Sequence, residues 1–506
     1  MPCQNPSPKI SPDSHRSALC GILSTLYFCC YNLFLRIRCA RVEDSAAHSA
    51  ALCVLDSKLW DLPSAPLKPL AKPHPSKEVI FGIDSLLDKL DLTTFDVDSA
   101  LSQISSQLGR ATPISRDWSV LKYVEEADFG PDSPIKTLFI VGKLIHEDED
   151  LSDSCKFISK ESAAKIHLQS TPGGDRIGLL TIIGLLHRDD KSQKPLLPRS
   201  FLNHSIQEYP LGLIVAPMKS RTQKPFSTTN LVLIVAEDET IESETNESAI
   251  FKHGEALLVD PGCSVQQHSD LEDLINALPR KLLVFLTHHH YDHIDGLSVI
   301  DKCNPDAILL AHPNTLRRIN TTSWSHESLP ISGGETLQIG RQKLEIVFAP
   351  GHTDGHAALL HLNSNSLIVG DHCVGHGSAV LDITSGGNMK DYFETTYNFL
   401  DLKPNVLIPM HGRVNLWPQN MLCGYLKHRR ERELRILKAI EDGAETLFDI
   451  VAKVYADVSR SLWLAASSNV KLHVDHLAYQ NMLPKGFSLE NFNNSYDDFL
   501  KKISSL

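Results

Sequence analysis

The sequence predicts an α/β core flanked by an N-terminal α+β region and a C-terminal helical region, and three observations predict it. From Asn230 to Gly412 short apolar runs recur between polar turns, and several of them end in His or Asp. Before them, strand-like runs alternate with short helical patterns. After them, apolar residues return at helical spacing. A chain of 506 residues exceeds one ordinary core, so four segments are expected: 1–50, 51–210, 211–422 and 423–506.

The first segment has two readings. "ALCGILSTLYFCCYNLFL" (Ala18 to Leu35) is apolar enough for a targeting segment, with Arg16 before it and Arg36, Arg38 and Arg41 after it. Yet it contains Asn32 and is barely long enough to span a bilayer. A targeting segment and an atypical, disordered N-terminus both fit, and no stable membrane span is expected in the folded region. In the second segment a Pro- and Lys-rich linker, "SAPLKPLAKPHPSKE", precedes expected helices at Ser85–Leu90 and Asp98–Leu108 and strands in "TLFIVGKLI" and "LLTIIGLLH". "TPGGD" (Thr171 to Asp175) lacks the following carboxylates that would hold Mg²⁺, so this domain reads as accessory and non-catalytic.

In the third segment strands are expected in "NLVLIVAED", "ALLVDPG", "LLVFLT", "AILLAH", "KLEIVFAPGH", "AALLHL", "SLIVGD" and "VLIPMHG", with a helix at Asp270–Leu278. The acidic stretch Glu237 to Glu247 reads as a solvated hairpin loop. In the fourth, "RRERELRILKAIEDG" puts Leu434, Leu437 and Ile440 on one helix face with arginines around it, and Gly443 serves as C-cap. Thr446 caps a second helix through Tyr455, and Leu462 to Met482 forms a third, a winged-helix-like arrangement.

Hydrophobic content of 42% and charged content of 22% are those of a soluble globular protein. A net charge of −12 excludes a global field that attracts nucleic acid or an anionic membrane, so any RNA contact must rest on a local basic patch. Of eleven cysteines, five lie in the first forty residues and the rest are scattered without a C-x-x-C. That is neither a disulfide framework nor a Cys-rich zinc module, and it fits an intracellular location, cytosol or an organelle such as mitochondrion or plastid.

The chemistry concentrates in "THHHYDHIDG" (Thr287 to Gly296), directly after an apolar strand. His288 and His290 are spaced i, i+2, and Asp292 and His293 come next, side by side. Later strand ends add His352, Asp371 and His411. Seven N/O ligands are too many for one tetrahedral Zn²⁺ and fit two metals that share a bridging carboxylate and a water. The other polar residues have plainer readings. His289 reads as outward-facing, His312, His356, His372 and His376 as surface or hydrogen-bonded core histidines, and His361 as structural. Arg317, Arg318 and Lys390 read as solvated.

These residues resemble the metallo-β-lactamase superfamily, whose H-x-H-x-D-H pattern, then H, D and H, is met in order. The resemblance implies an αββα sandwich. It implies one metal on His288, His290 and His352, another on Asp292, His293 and His411, Asp371 between them, and Asp260 of "LVDPG" bracing the ligand loop. By the same resemblance the chain is a hydrolase with two Zn²⁺ (Mn²⁺ or Fe as alternatives), in which a metal-bridging hydroxide attacks the substrate and the catalytic Asp292 orients it. "RTQKPFSTTNLVLIV", "APGHTDGHAALL", "GDHCVGHGSAVLDI" and "HRRERELRILKAI" resemble, more narrowly, the β-lactamase-like protein 2 family of zinc endoribonucleases acting on single-stranded RNA. The basic helix Lys427 to Lys438 would then supply the positive patch. The alternative is a glyoxalase II-like thioester or lactone hydrolase with a small acyl substrate, whose carrier-gripping basic and Tyr residues are not recognisable in this sequence.

Overall fold

The computed structural model describes residues 35–40, 50–56, 59–71, stretches of 92–178, and then 206–236, 250–319 and 322–504. The expected helix at Ser85–Leu90, the strand "LLTIIGLLH", "TPGGD", the acidic stretch and all of the apolar run but Leu35 lie outside the described residues. Among the described residues no helix is long and apolar enough to cross a membrane.

The N-terminal part comprises β1 (Leu35–Ala40), β2 (Ala50–Asp56), β3 (Leu59–Asp61), β4 (Ser64–Leu67), α1 (Val97–Gln107), β5 (Trp118–Glu125), β6 (Lys136–Gly142), β7 (Cys155–Ser159) and β8 (Arg176–Ile177). They make two four-stranded sheets, β4-β1-β6-β5 and β7-β2-β3-β8. Sheet structure thus begins inside the first fifty residues, at β1. Asp96 caps α1 by accepting from the Ser99 N–H (3.1 Å), and the helix buries Ala100, Leu101 and Ile104 against Val120, Leu138 and Ile140.

Two larger sheets come next. The first runs β16-β15-β14-β13-β11-β10-β9 and the second β12-β17-β18-β19-β20-β21. Their strands are β9 (Gln207–Glu208), β10 (Ile214–Lys219), β11 (Thr228–Val235), β12 (Lys252–Gly254), β13 (Ala256–Val259), β14 (Leu282–Phe285), β15 (Ile308–Ala311), β16 (Ser328–Pro330), β17 (Thr336–Ile339), β18 (Gln342–Phe348), β19 (Ala357–His361), β20 (Ser366–Gly370) and β21 (Val406–Pro409). Every strand expected from the apolar runs between Asn230 and Gly412 is present.

Alternation sorts each strand between layers. Leu257, Val259, Leu283 and Phe285 face Leu344, Ile346, Leu359 and Ile368 between the sheets. Their neighbours Leu258, Leu282 and Val284 face outward onto α2 (His268–Ala277) and, beyond the short turn α3 (Tyr291–Ile294), α4 (Leu297–Cys303). On the far side, after α5 (Pro313–Leu316), Leu360, Leu367, Val369 and Leu407 meet α6 (Met389–Leu402) and α7 (Pro418–Glu441). The result is the expected αββα sandwich, with both sheets buried on two faces. His361 is structural as expected, its Nδ1 2.6 Å from the Ser364 hydroxyl and its Nε2 3.1 Å from the Gln342 side-chain oxygen Oε1.

Helix α7 runs without a break across the expected boundary at residue 422 and leads into α8 (Leu447–Val454), α9 (Trp463–Tyr479), α10 (Leu489–Asn494) and α11 (Tyr496–Ser504). Its buried face differs from the expected one. Leu434 is 63% exposed, whereas Arg429, Glu433, Ile436 and Ile440 point inward. Arg429 donates to the Ala379 carbonyl and to Asn469 Oδ1, and Arg432 lies 4.1 Å over the Tyr455 ring. The basic face is therefore thinner than the sequence suggests, because one long helix serves two packing partners at once. Thr446 caps α8 through a capping box with Asp449, as expected. Thr446→Ala should cost about 1 kcal/mol in denaturant unfolding.

Candidate metal centre

Each histidine of the predicted cluster uses one ring nitrogen to fix itself and turns the other inward. Asp260, wholly buried, leaves the end of β13 with φ +48 and accepts three hydrogen bonds. They come from the Thr287 N–H (2.8 Å), the Thr287 hydroxyl (2.6 Å) and His293 Nδ1 (2.8 Å). Because the Thr287 hydroxyl has given its only proton to Asp260, it must accept from His288 Nδ1, 3.0 Å away. His290 Nε2 donates to Asp382 (3.0 Å), His352 Nδ1 to the Val380 carbonyl, and His411 Nδ1 to the Thr228 carbonyl (2.9 Å). One ring nitrogen of each of the five imidazoles is thereby occupied, which leaves the other facing the cleft.

Those nitrogens converge. His288 Nε2 and His290 Nδ1 are 2.9 Å apart, and each is 3.2 Å from His352 Nε2. None of the three carries a proton for its neighbours, so they cannot satisfy one another. Their spacing approaches the tetrahedral edge of about 3.3 Å set by metal–nitrogen bonds of about 2.0–2.1 Å. Asp371 Oδ2 lies 3.9 Å from His352 Nε2, and its Oδ1 faces the other way, 3.5 Å from His293 Nε2 and 3.4 Å from His411 Nε2. Asp292 Oδ2 completes this second group, 3.3 Å from His411 Nε2 and 3.8 Å from His293 Nε2. His293 Nε2 and Asp371 Oδ1 are buried without a hydrogen-bond partner. Two groups able to hold a cation thus lie side by side, with Asp371 facing both.

The electrostatics divide the same way. Burial, with the neighbouring imidazoles, holds His288 well below the usual imidazole range, and burial brings His352 down to about 4. Burial also works against charge on His293 and His411. There the carboxylates of Asp371 and Asp292 outweigh it, raising His293 well above 6.5 and His411 to about 9. Asp292 in turn falls to about 2, because His293 and His411 overcome the penalty of burial.

Local sequence explains the approach of the ligand turn to the sheet. The DPG turn after β13 and the turn of α3 touch so closely that a Cβ at Gly262 would fall 1.6 Å from the Asp292 carbonyl oxygen. Asp295 pins Arg221 with both oxygens and is not among the clustered ligands.

Of the remaining polar residues, His289 departs from expectation, while His312, His356, His372 and His376 are surface or hydrogen-bonded histidines as expected. His289 is half-buried, not outward-facing: its Nε2 is 3.0 Å from the Ser385 hydroxyl, and burial lowers it to about 4. His356 is buried and accepts from the backbone N–H of Asp371 (3.1 Å) while donating to the Ala349 carbonyl (3.0 Å), so it holds the shared carboxylate's main chain. His372 is a core histidine, stacked on Tyr392 at 4.2 Å, and His376 is exposed. His312 caps α5 and stacks on Phe348. Arg318 pairs with Asp354, Arg317 with Asn314, and Lys390 with Glu394. Asp382 was missed by sequence reasoning. It lies in "VLDITSG", where Asp before Thr and Ser signals a turn but nothing links that turn to His290.

Similarity to known proteins agrees with this geometry. Residues 245–411 match the metallo-beta-lactamase superfamily and residues 446–481 the beta-lactamase associated winged helix domain. A beta-lactamase-like protein 2 homolog of Drosophila melanogaster is 29% identical over 253 residues, covering 47% of this chain and 84% of that one. Its Caenorhabditis elegans counterpart is 26% identical, covering 45% and 76%. An atrochrysone carboxyl ACP thioesterase of Emericella nidulans is 25% identical, covering 39% and 61%. The chain therefore carries a hydrolase domain of the metallo-beta-lactamase superfamily, with a beta-lactamase associated winged helix domain after it.

Proposed function

We propose that this chain is a binuclear metal-dependent endoribonuclease acting on single-stranded RNA. The observation that carries the metal-dependent part is the convergence of five imidazole nitrogens and two carboxylates around Asp371, a donor set that fits two cations. His288, His290 and His352 would hold one ion, Asp292, His293 and His411 the other, and Asp371 would serve both, with Zn²⁺ the best fit to a nitrogen-rich set. Ions held there would supply Lewis-acid activation of a water and offset charge developing on the attacked group. Asp292, ionised at neutral pH, would accept a hydrogen bond from that water and so orient it.

The RNA reading is supported by the sequence resemblance to the β-lactamase-like protein 2 family and by the cleft between α6, α7 and α9. This cavity of about 410 Å³ is lined by Phe393, Tyr397, Arg430, Leu434 and Met482. Arg430 sits 5.8 Å from the Tyr397 ring, and Lys390 4.8 Å from that of Tyr479. Exposed aromatics beside cations are what stack bases and meet phosphates. A thioester or lactone hydrolase is the second reading, favoured by the similarity to a thioesterase. Single-stranded RNA and an acyl-glutathione thioester should be assayed side by side with and without chelator. Chelator-sensitive RNA cleavage is expected, and turnover of the thioester alone would favour the second reading.

A further inference from the structure

Among the described residues, the accessory domain reaches the metal centre beside His411. Four features of the structure meet there. Glu126, just past β5, accepts two hydrogen bonds from Arg413, at 2.8 Å from Nε and 3.0 Å from Nη2. Arg413 lies two residues beyond His411. Phe226 stacks on the His411 ring with centroids 5.5 Å apart. Behind Phe226 stands Gly130, where an added Cβ would lie 2.8 Å from Phe226 Cδ1 and where φ is +137, a conformation that side chains disfavour. Finally, the Asp128 carbonyl accepts from the Thr228 hydroxyl (3.3 Å), and the Thr228 carbonyl is the group that orients His411 Nδ1.

Glu126 and residues 128–130 thus touch the side chain of Arg413 just after His411, the ring beside His411 and the residue that fixes its tautomer. The anchor itself is firm: Phe129 is buried in the same core cluster as Met410, and Glu126 Oε2 also accepts from the Ile135 N–H (3.0 Å), closing the β5–β6 connection. No segment of the accessory domain makes a comparable set of described contacts to His288, His290 or His352.

We propose that Glu126 and residues 128–130 of the accessory domain are a positioning element for His411, with Glu126 and Arg413 its central pair, so that this domain sets occupancy of one metal position and not the other. The inference rests on the two-ion reading of the site. Partners that orient a metal ligand are commonly worth 10–100-fold in metal affinity. A bidentate guanidinium–carboxylate pair fixes a loop in both distance and direction, which a single contact does not.

The test uses the full chain loaded with Co²⁺, titrated with chelator and monitored by metal content and by the visible spectrum of each ion. Glu126→Gln and, independently, Arg413→Lys should weaken the ion on the His411 side about 10–100-fold and change its spectrum while leaving the other ion's affinity intact. Gly130→Ala, acting through Phe226, should do the same without touching the ion pair. Ile104→Ala in the α1 core is the control: it should lower thermal stability with no change in either ion. Equal weakening of both ions, or a variant set that tracks stability alone, would overturn the proposal. A wild-type chain that binds one ion or none overturns the two-ion reading itself, which is a different failure from two ions that ignore Glu126.

Discussion

Asp260→Asn is expected to weaken uptake of metal by about 100-fold and to destabilise the ion-free fold by about 2 kcal/mol, although Asp260 is not itself among the converging ligands. A carboxylate here accepts from three donors at once. An Asn side chain has one acceptor oxygen and an NH₂ that only donates. If the NH₂ takes the place of Oδ2, it faces both the Thr287 hydroxyl and His293 Nδ1: the hydroxyl turns its proton towards His288 Nδ1, the proton of His288 moves to Nε2, and His293 Nδ1 can no longer donate, so its proton is left to Nε2, the atom that points at Asp371. If the NH₂ takes the place of Oδ1, it opposes the Thr287 N–H, and a backbone donor of the ligand loop loses its acceptor. One isosteric change thus disturbs either the imidazoles of both metal positions or the main chain that carries them. Metal content after dialysis against a weak chelator measures the effect, with denaturant unfolding of the ion-free chain as the second readout. Full metal retention with wild-type stability would contradict the role assigned to Asp260.

Sequence reasoning could see the candidate ligands because the fold presents each of them at the end of a short apolar strand or in the turn just beyond it. His288 to His293 come after β14, His352 after β18, Asp371 after β20 and His411 after β21. Period-two alternation makes such strands legible, and it thereby marks the polar residues at their C-terminal ends. The supports were not legible, for physical reasons that differ. Asp382 lies in an irregular loop, and its partner His290 is 92 residues away. Glu126 and Arg413 are separated by 287 residues, and each is an unremarkable charged residue in its own segment. The face of α7 was misread because a helical wheel assumes one apolar partner. Here Arg429 is drawn inward by the Ala379 carbonyl and the Tyr392 ring, and Glu433 by His473 and His476, while Leu434 borders an open cleft. Buried charge with specific partners overrides the apolar stripe that periodicity alone would choose.

Metal uptake on the His411 side should weaken steeply as pH falls below about 9, whereas His288 and His352 place no such limit on the other side. Burial lowers both of these imidazoles, His352 to about 4, so at neutral pH they hold no proton for a cation to displace. His411 is raised to about 9 and His293 well above 6.5, since Asp371 and Asp292 overcome the burial that would otherwise lower them. An ion entering between these carboxylates must therefore release both protons. Each released proton weakens apparent affinity about tenfold per pH unit below the relevant pKa, so two give up to about a hundredfold. Calorimetric titration in buffers of different ionisation enthalpy counts the protons: about two for this ion near neutral pH, and equal release by both ions would contradict the assignment. The same raised pKa values act on the ion-free fold with a definite sign. Stability gained from charged His293 and His411 is fully present below the unfolded imidazole pKa of about 6.5 and is lost as pH rises through their raised values, about 9 for His411. The ion-free chain should then become less stable over the interval in which metal binds more tightly, so the difference in melting temperature between loaded and ion-free protein widens from neutral pH to about pH 9.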